Sequence, residues 1–399
     1  MTETLPSFPM TRAGKCPFDP PPQLREVEPI SRVEIWNGDT PWLVTGYDDQ
    51  RKILADNRFS ANNLNQGYPH QTASIAARRR SFRSFISMDD PQHARHRKML
   101  TSNFMIKRVE ALRPQVQQMV DGLIDELLAG PKPADLVTAF ALPVPSLVIC
   151  QLLGVPYEDH DFFQACGKRI IKRDNSVEDA LAANEELRSY LRTLVEAKKQ
   201  SPTDDMIGRL VTEQLAAGEL TEDEIADMSL LMLLAGHETT ANMIALGTLA
   251  LLEHPDQLEQ VRESGDPALI AGAVEELLRY LNIVHMGRRR VAIEDVEVAG
   301  QLIRAGEGVV LVTEAGNRDS TAFPDPDNLD IHRQARHHVA FGYGVHQCLG
   351  QPLARMELQV VYGTLYRRIP TLRLAIPFED VPFKHDMSIY GVHSLPVTW

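Results

Sequence analysis

The segment LMLLAGHETTANMIALGTLALLEH, Leu231 to His254, constrains this chain more than any other. A helix that is apolar nearly all round has no face to offer to water, so it must be buried with other elements packed about it. Its flanks fit that requirement. Its centre does not: Gly236, His237, Glu238, Thr239 and Thr240 stand where a core helix should be apolar. A buried carboxylate and two buried hydroxyls are costly unless they meet partners or perform chemistry.

The remaining patterns surround this helix with more helices. VEALRPQVQQMVDGLIDELL, EDEIADMSLLMLL and PALIAGAVEELLRYL repeat apolar residues every three or four positions. Strand signals are confined to three regions, near 28–48, 290–315 and 370–399. In the first, Asn37-Gly38 separates two alternating runs, which predicts a hairpin. The 399 residues are 43% hydrophobic, enough for a large core, and no Gly/Ser-rich linker or repeat divides them. The expectation is one unit over 1–399, mainly α with small β-sheets.

A net charge of −13 argues against nucleic acid as a partner. The opening MTETLPSFPM lacks the basic start and apolar run of a signal peptide. The run Leu136 to Tyr157 is long enough for a membrane span, but Pro143, Pro145 and Pro156 cut it into short helical pieces. No membrane association and a cytoplasmic location are expected. Cys16, Cys150, Cys166 and Cys348 are scattered without CxxC spacing, as free thiols in a reducing compartment would be. The first three read as small buried hydrophobes.

Cys348 differs. Gly342, Gly344 and Gly350 surround it, and a helical pattern follows directly. Glycines let the backbone approach something flat. A cysteine just ahead of a helix N-terminus meets free N–H groups that favour thiolate over thiol. This is a design for holding a sulfur anion on a metal.

FGYGVHQCLG, Phe341 to Gly350, resembles the haem-binding signature FGxGxHxCxG of bacterial cytochromes P450. Three further marks occur in the family's order: DDPQHARHR, AGHETT and EELLR. The resemblance covers essentially the whole chain, and FPMTRAGKCPFDPPP, ALPVPSLVICQLLGVPYEDHDFF and SLPVTW look like the actinomycete family numbered 105.

The resemblance implies the cytochrome P450 fold, haem b as cofactor and dioxygen as co-substrate. Cys348 would be the axial ligand, a role thiolates play throughout this superfamily. Ala235, Gly236 and Thr239 would lie on the oxygen-binding side. Thr239, four residues after Ala235, can bond back to its carbonyl and bend the helix, with Gly236 lowering the cost. Thr239 would then hydrogen-bond the oxygen and Glu238 would belong to the relay delivering protons. His237 and Thr240 point away and read as structural. His93, Arg97, Arg290, His338 and, with a less defined role, His346 would meet the haem propionates. Phe341, Gly342 and Gly350 would line the haem. Glu276 and Arg279, with Arg333, would form a structural trio bracing the cysteine loop.

The activity implied is insertion of one oxygen atom from O2 into a C–H or double bond of a bulky apolar substrate. The rival readings are a peroxygenase driven by hydrogen peroxide and a non-catalytic haem-binding protein. No flavin or nicotinamide fingerprint follows the haem region, so NAD(P)H would act only through a ferredoxin reductase and a ferredoxin, with Arg95 and Lys98 offering a docking patch. Ile283, Val284, His285, Met286, Ile389 and Tyr390 are the expected substrate lining, with further lining between 61 and 87 and around 165–185. The loop before Ile86 suits a mobile lid. Its Arg78, Arg79, Arg80 and Arg83 read as a solvated face, with attraction of a substrate carboxylate as the alternative.

Overall fold

A computed structural model describes residues 5–10, 12, 17–79 and 84–399. Cys16, Arg80 and Arg83 lie outside the described residues.

The helix seeded by the opening segment runs from Glu222 to Leu252, 31 residues. Its start is fixed by a capping box: Thr221 Oγ1 accepts from Glu224 N, and the Glu224 carboxylate accepts from Thr221 N. Helices Pro143–Leu153, Val177–Gln200 and Gln351–Arg368 pack against it. The apolar repeats predicted the helices Ile106–Ala129 and Pro267–Leu281. In the first, Val109, Val116, Val120, Ile124 and Leu127 form the buried stripe. The second is capped by the Asp266 carboxylate, which accepts from Ala268 N, and is ended by Asn282 at φ +34°.

The Leu136–Tyr157 run is broken at its prolines, as expected. Pro143 takes the first helical position, and the helix ends at left-handed Gly154 just before Val155 and Pro156. No helix among the described residues is long and apolar enough to cross a membrane.

The β-structure is small. One five-stranded sheet has the order Ile30–Arg32, Trp42–Val44, Gly308–Leu311, Arg288–Ala292, Phe59–Ser60. All its pairings are antiparallel except Trp42–Val44 with Gly308–Leu311. The hairpin expected at Asn37-Gly38 is present: Ile30 pairs with Val44, and Gly38 turns the chain at φ +82°. Ala134–Asp135, Pro396–Thr398 and Arg373–Leu374 form a second sheet, and Val296–Val298 with Gln301–Ile303 a third. The strands Phe59–Ser60 and Ala134–Asp135 were not anticipated, since two residues show no alternation.

Candidate functional site: a cysteine loop facing the central helix across a cavity

A cavity of about 510 Å³ opens beside the middle of the central helix. Ala235, Gly236, Thr239 and Thr240 form part of one wall, and residues 341–343 with 346–350 part of another. Most of the helix is buried in protein, but Ala235 is exposed and Gly236 and Thr239 are half-exposed, towards the cavity.

Thr239 Oγ1 donates to the Ala235 carbonyl at 2.6 Å, as the spacing predicted. The expected opening of the backbone is not seen: the segment stays helical throughout. Gly236 serves packing instead. A Cβ there would stand 2.9 Å from Ile149 Cδ1 on the neighbouring helix. Thr240 is a correction. It lines the cavity, because it lies four residues after Gly236 and shares that face. His237 does turn away, is buried, and lies edge-on to Phe163 at 6.0 Å.

Glu238 also faces away from the cavity. Its carboxylate accepts from Asn242 Nδ2 at 3.3 Å and lies 3.7 Å from Lys384 Nζ, both side chains nearly buried. The polar centre of the rod is therefore split between two faces: hydroxyls towards the cavity, carboxylate towards an internal cation.

Cys348 sits two residues ahead of the Gly350 cap of the Gln351–Arg368 helix. Its N–H donates to Phe341 O at 2.9 Å, which closes the loop on itself. Gly342 and Gly344 have φ of +74° and +71°. A Cβ on Gly344 would run into the Leu54 carbonyl oxygen, which belongs to backbone and cannot yield. Gly344→Ala should therefore cost at least about 1–2 kcal/mol for the left-handed backbone alone. We expect a lower Tm and less haem per protein, read by thermal unfolding and absorbance; unchanged values would mean the loop is not held against Leu54.

Burial pushes the Cys348 thiol up, against Arg288, the Gly350 N–H, Arg97 and Arg355, which all pull it down. A metal's positive charge would add to the groups that favour the thiolate.

The residues at the cavity edge fit a prosthetic group bearing carboxylates. Arg97 donates to Gln347 O at 2.7 Å and Arg290 to Arg289 O at 2.7 Å. The rings of His93 and His346 lie 4.0 Å apart. Burial, then the charges of Arg290, His93 and Arg97, push His346 down to about 3. Nε2 of His93 and Nδ1 of His346 are buried without a partner. Cationic donors gathered in this way are stable only when an anion arrives among them. Two propionates are such anions. His346, the least defined of the expected propionate residues, belongs with this group.

His338 does not, and this is a second correction. It is outside the cavity lining. Its Nε2 lies 3.3 Å from Glu275 Oε2, and its Nδ1 accepts from Ala340 N. Arg355 grips the same carboxylate with bonds of 2.6 and 2.9 Å and lies 4.7 Å over the Phe341 ring. Burial would raise the Glu275 carboxyl, but His338 and Arg355 hold it at about 2. His338 thus ties the start of the cysteine loop to the Pro267–Leu281 helix. Glu275 and Arg355 were missed, though the doubled Glu275-Glu276 was a usable signal.

The expected trio meets. Arg279 holds both oxygens of Glu276 at 2.7 Å, with neither side chain exposed. Arg333 Nε reaches Glu276 Oε1 at 3.2 Å. The spare donors of Arg279 go to the carbonyls of Asn317, Pro326 and Asn328. Asn317 in turn accepts from Val339 N through its side chain at 2.8 Å, which connects the trio to the cysteine loop.

Of the six expected substrate-lining residues, only Val284 reaches the cavity. The left-handed Asn282 and Gly287 re-aim the segment between them. Ile283 and Met286 are buried in protein, and Ile389 packs on the core. His285 bonds the Met387 carbonyl at 2.8 Å, and burial takes it down to about 3. Tyr390 donates to Pro17 O at 2.9 Å beneath the Arg12 guanidinium. Nothing from 165–185 lines the cavity either. The 61–87 region does contribute, through Tyr68, His70, Ile75, Arg78 and Arg79 among others. Sequence reasoning missed Ile149, Arg288, Arg289 and Glu357, a buried carboxyl raised to about 8. Arg95 is engaged by Glu219 at 2.8 Å, so it is not the open cation expected of a docking patch; Lys98 is exposed.

The family model "Cytochrome P450" matches residues 160–373. The chain is 54% identical to cytochrome P450-SU2 of Streptomyces griseolus over 98% of its length and 97% of that protein's. It is 47% identical to the vitamin D3 dihydroxylase of the same organism, over 100% and 98%. The crystal structure of GfsF, 53% identical, superposes with a TM-score of 0.93 over 99% of this chain and 100% of that one. Members numbered in family 105 are among its relatives. This chain belongs to the cytochrome P450 family of haem-dependent monooxygenases, which use O2.

Proposed function

We propose that the chain hydroxylates or epoxidises a bulky, largely apolar small molecule, with electrons passed from NAD(P)H by a ferredoxin reductase and a ferredoxin. The observation that carries this reading is the cavity, which puts Cys348 and Thr239 on walls of one space. When bound there, haem supplies the iron at which dioxygen is activated. Cys348 would hold the iron, and Arg97, Arg290, His93 and His346 the propionates. Leu231, Met232, Ile149, Val284 and Ile75 give the space an apolar lining. Such a lining excludes water and fits a bulky hydrocarbon frame. The relative named for vitamin D3 dihydroxylation is consistent with a substrate of that kind.

Thr239 places its hydroxyl oxygen at the cavity while its proton is committed to Ala235 O. Its oxygen can therefore accept a hydrogen bond from an incoming proton donor, and once the bond to Ala235 O is released its own proton can be passed into the cavity. Glu238 holds a reserve carboxylate behind the helix, balanced by Lys384. Release from Lys384 would let it turn and carry protons towards Thr239. The acid–alcohol pair favours monooxygenation with O2 over use of hydrogen peroxide.

The test is product formed per NAD(P)H consumed with ferredoxin and reductase. Thr239→Ala should keep substrate binding and divert most electrons to hydrogen peroxide. Glu238→Gln should slow turnover on the order of 10²-fold, the usual worth of a positioned proton donor. Wild-type rate and yield in both variants would leave the helix with a purely structural polar centre.

A further inference from the structure

The cavity holds more positive charge than two propionates can match. Arg78, Arg79, Arg97, Arg288, Arg289 and Arg290 all line it, Arg289 and Arg290 buried and the others half-buried. Among the described residues no carboxylate lies within ion-pair distance of Arg79, Arg97, Arg288, Arg289 or Arg290. Glu357, the one acid in the lining among the described residues, is buried, and desolvation raises it to about 8. Asp89 acts on Arg290 only at longer range, its oxygens being taken by Ser60 and Ala61 N.

Haem in the proposed site brings two propionates and turns Cys348 into a thiolate. Arg97 and Arg290 stand with His93 and His346 where the propionates would lie. Arg288 lies close enough to Cys348 to feel its charge and donates to Ala340 O at 2.7 Å within the cysteine loop. Arg97 and Arg290 match the two propionate charges, and the thiolate would be offset first by the iron it holds. Arg79 and Arg289 have no such anion assigned to them.

Arg289 also differs in direction. Side chains alternate along the strand Arg288–Ala292, so its Cβ leaves on the face opposite Arg288 and Arg290. Tyr68 and His70 line the same cavity. Arg289 is 5% exposed, its Nε has no partner, and its one bond to protein is to Gly287 O at 3.2 Å. His70, in the same lining, has its ring 5.1 Å from Tyr68 and its Nδ1 also buried without a partner. Burial, then the charges of Arg79 and Arg289, push His70 down to about 4. A buried guanidinium with an open edge and no counter-ion is costly to maintain.

We propose that Arg289, with Arg79 and His70 of the same lining, is a subsite for a carboxylate carried by an otherwise apolar substrate. This rests on the monooxygenase reading above. A guanidinium edge matches a carboxylate with two parallel bonds, while Ile75, Ile149, Leu231, Met232 and Val284 in the same lining suit the apolar remainder of the molecule. The alternative noted for the loop arginines, attraction of a substrate carboxylate, thus extends to a residue on the sheet.

The experiment uses the purified holoenzyme and three probe pairs: lithocholic, abietic and 1-adamantaneacetic acids, each with its methyl ester. Affinity is read by calorimetry and by the shift of the haem absorption band. At least one acid should bind about tenfold or more tightly than its ester, the scale of one charge-assisted contact. That preference should shrink with added salt. Arg289→Gln should weaken the acid about tenfold and leave the ester within about twofold, while Arg289→Lys retains part of the preference. Equal affinity of acid and ester in all three pairs, no acid binding at all, or an unchanged preference in Arg289→Gln would overturn the proposal. If the variant does not fold, the wild-type preference and its salt dependence decide alone. The carbon monoxide spectrum of the same wild-type sample reports separately on the haem-thiolate reading, so the two can fail independently.

Discussion

Glu276→Ala is expected to prevent haem-loaded protein from accumulating. The substitution leaves Arg279 fully buried with its charge unmatched and also removes an acceptor from Arg333 and from Asp330 N. Breaking a buried pair in this way costs on the order of 3–5 kcal/mol. Net stabilities are only about 5–15 kcal/mol, so the loss takes a large share. The damage should spread to the haem site, because Arg279 holds Asn317 and Asn317 holds Val339 at the start of the cysteine loop. Glu276→Gln, which keeps the shape and one acceptor, should recover part of the yield. Haem content and thermal unfolding of the purified variants measure this. Normal yields of haem-loaded Glu276→Ala would contradict the role given to the trio.

What was legible in the sequence was local. Thr239 bonds Ala235 and Glu276 meets Arg279 because helical spacing of three or four residues dictates it. Gly342 and Gly344 take the left-handed backbone that marks a loop folded tightly around Cys348. The hairpin at Asn37-Gly38 follows from its turn. Features set by distant chain segments were not legible. Ile283, Val284, His285 and Met286 are consecutive, yet only Val284 meets the cavity, because Asn282 and Gly287 turn the backbone on either side. Tyr390 is claimed by Pro17 and Arg12, more than 370 residues away in sequence. His338 was assigned to a propionate by its place in the motif, whereas the nearby carboxylate of Glu275 captures it. Arg289 carries no periodic or motif signal at all; its side chain leaves the strand on the face opposite Arg288 and Arg290, and only the structure shows it buried there with Nε unpartnered.

Cys348 carries the central claim. Its loop, the arginines around it and the hydroxyls on the opposing helix all acquire a purpose only if its sulfur holds the iron. The second large effect follows. Cys348→His should still fold, since the Phe341 carbonyl accepts from the backbone N–H of residue 348 rather than from its side chain. It should lose oxygen-insertion activity, because a neutral imidazole cannot donate electron density as a thiolate does.

The most direct measurement is the absorption spectrum of the reduced carbon monoxide complex, taken on wild type and on Cys348→His. Wild type should show the long-wavelength band of a thiolate-ligated haem, and the variant the shorter-wavelength band of histidine ligation. A thiolate-type band that survives in Cys348→His, or that is absent from haem-loaded wild type, would contradict the assignment.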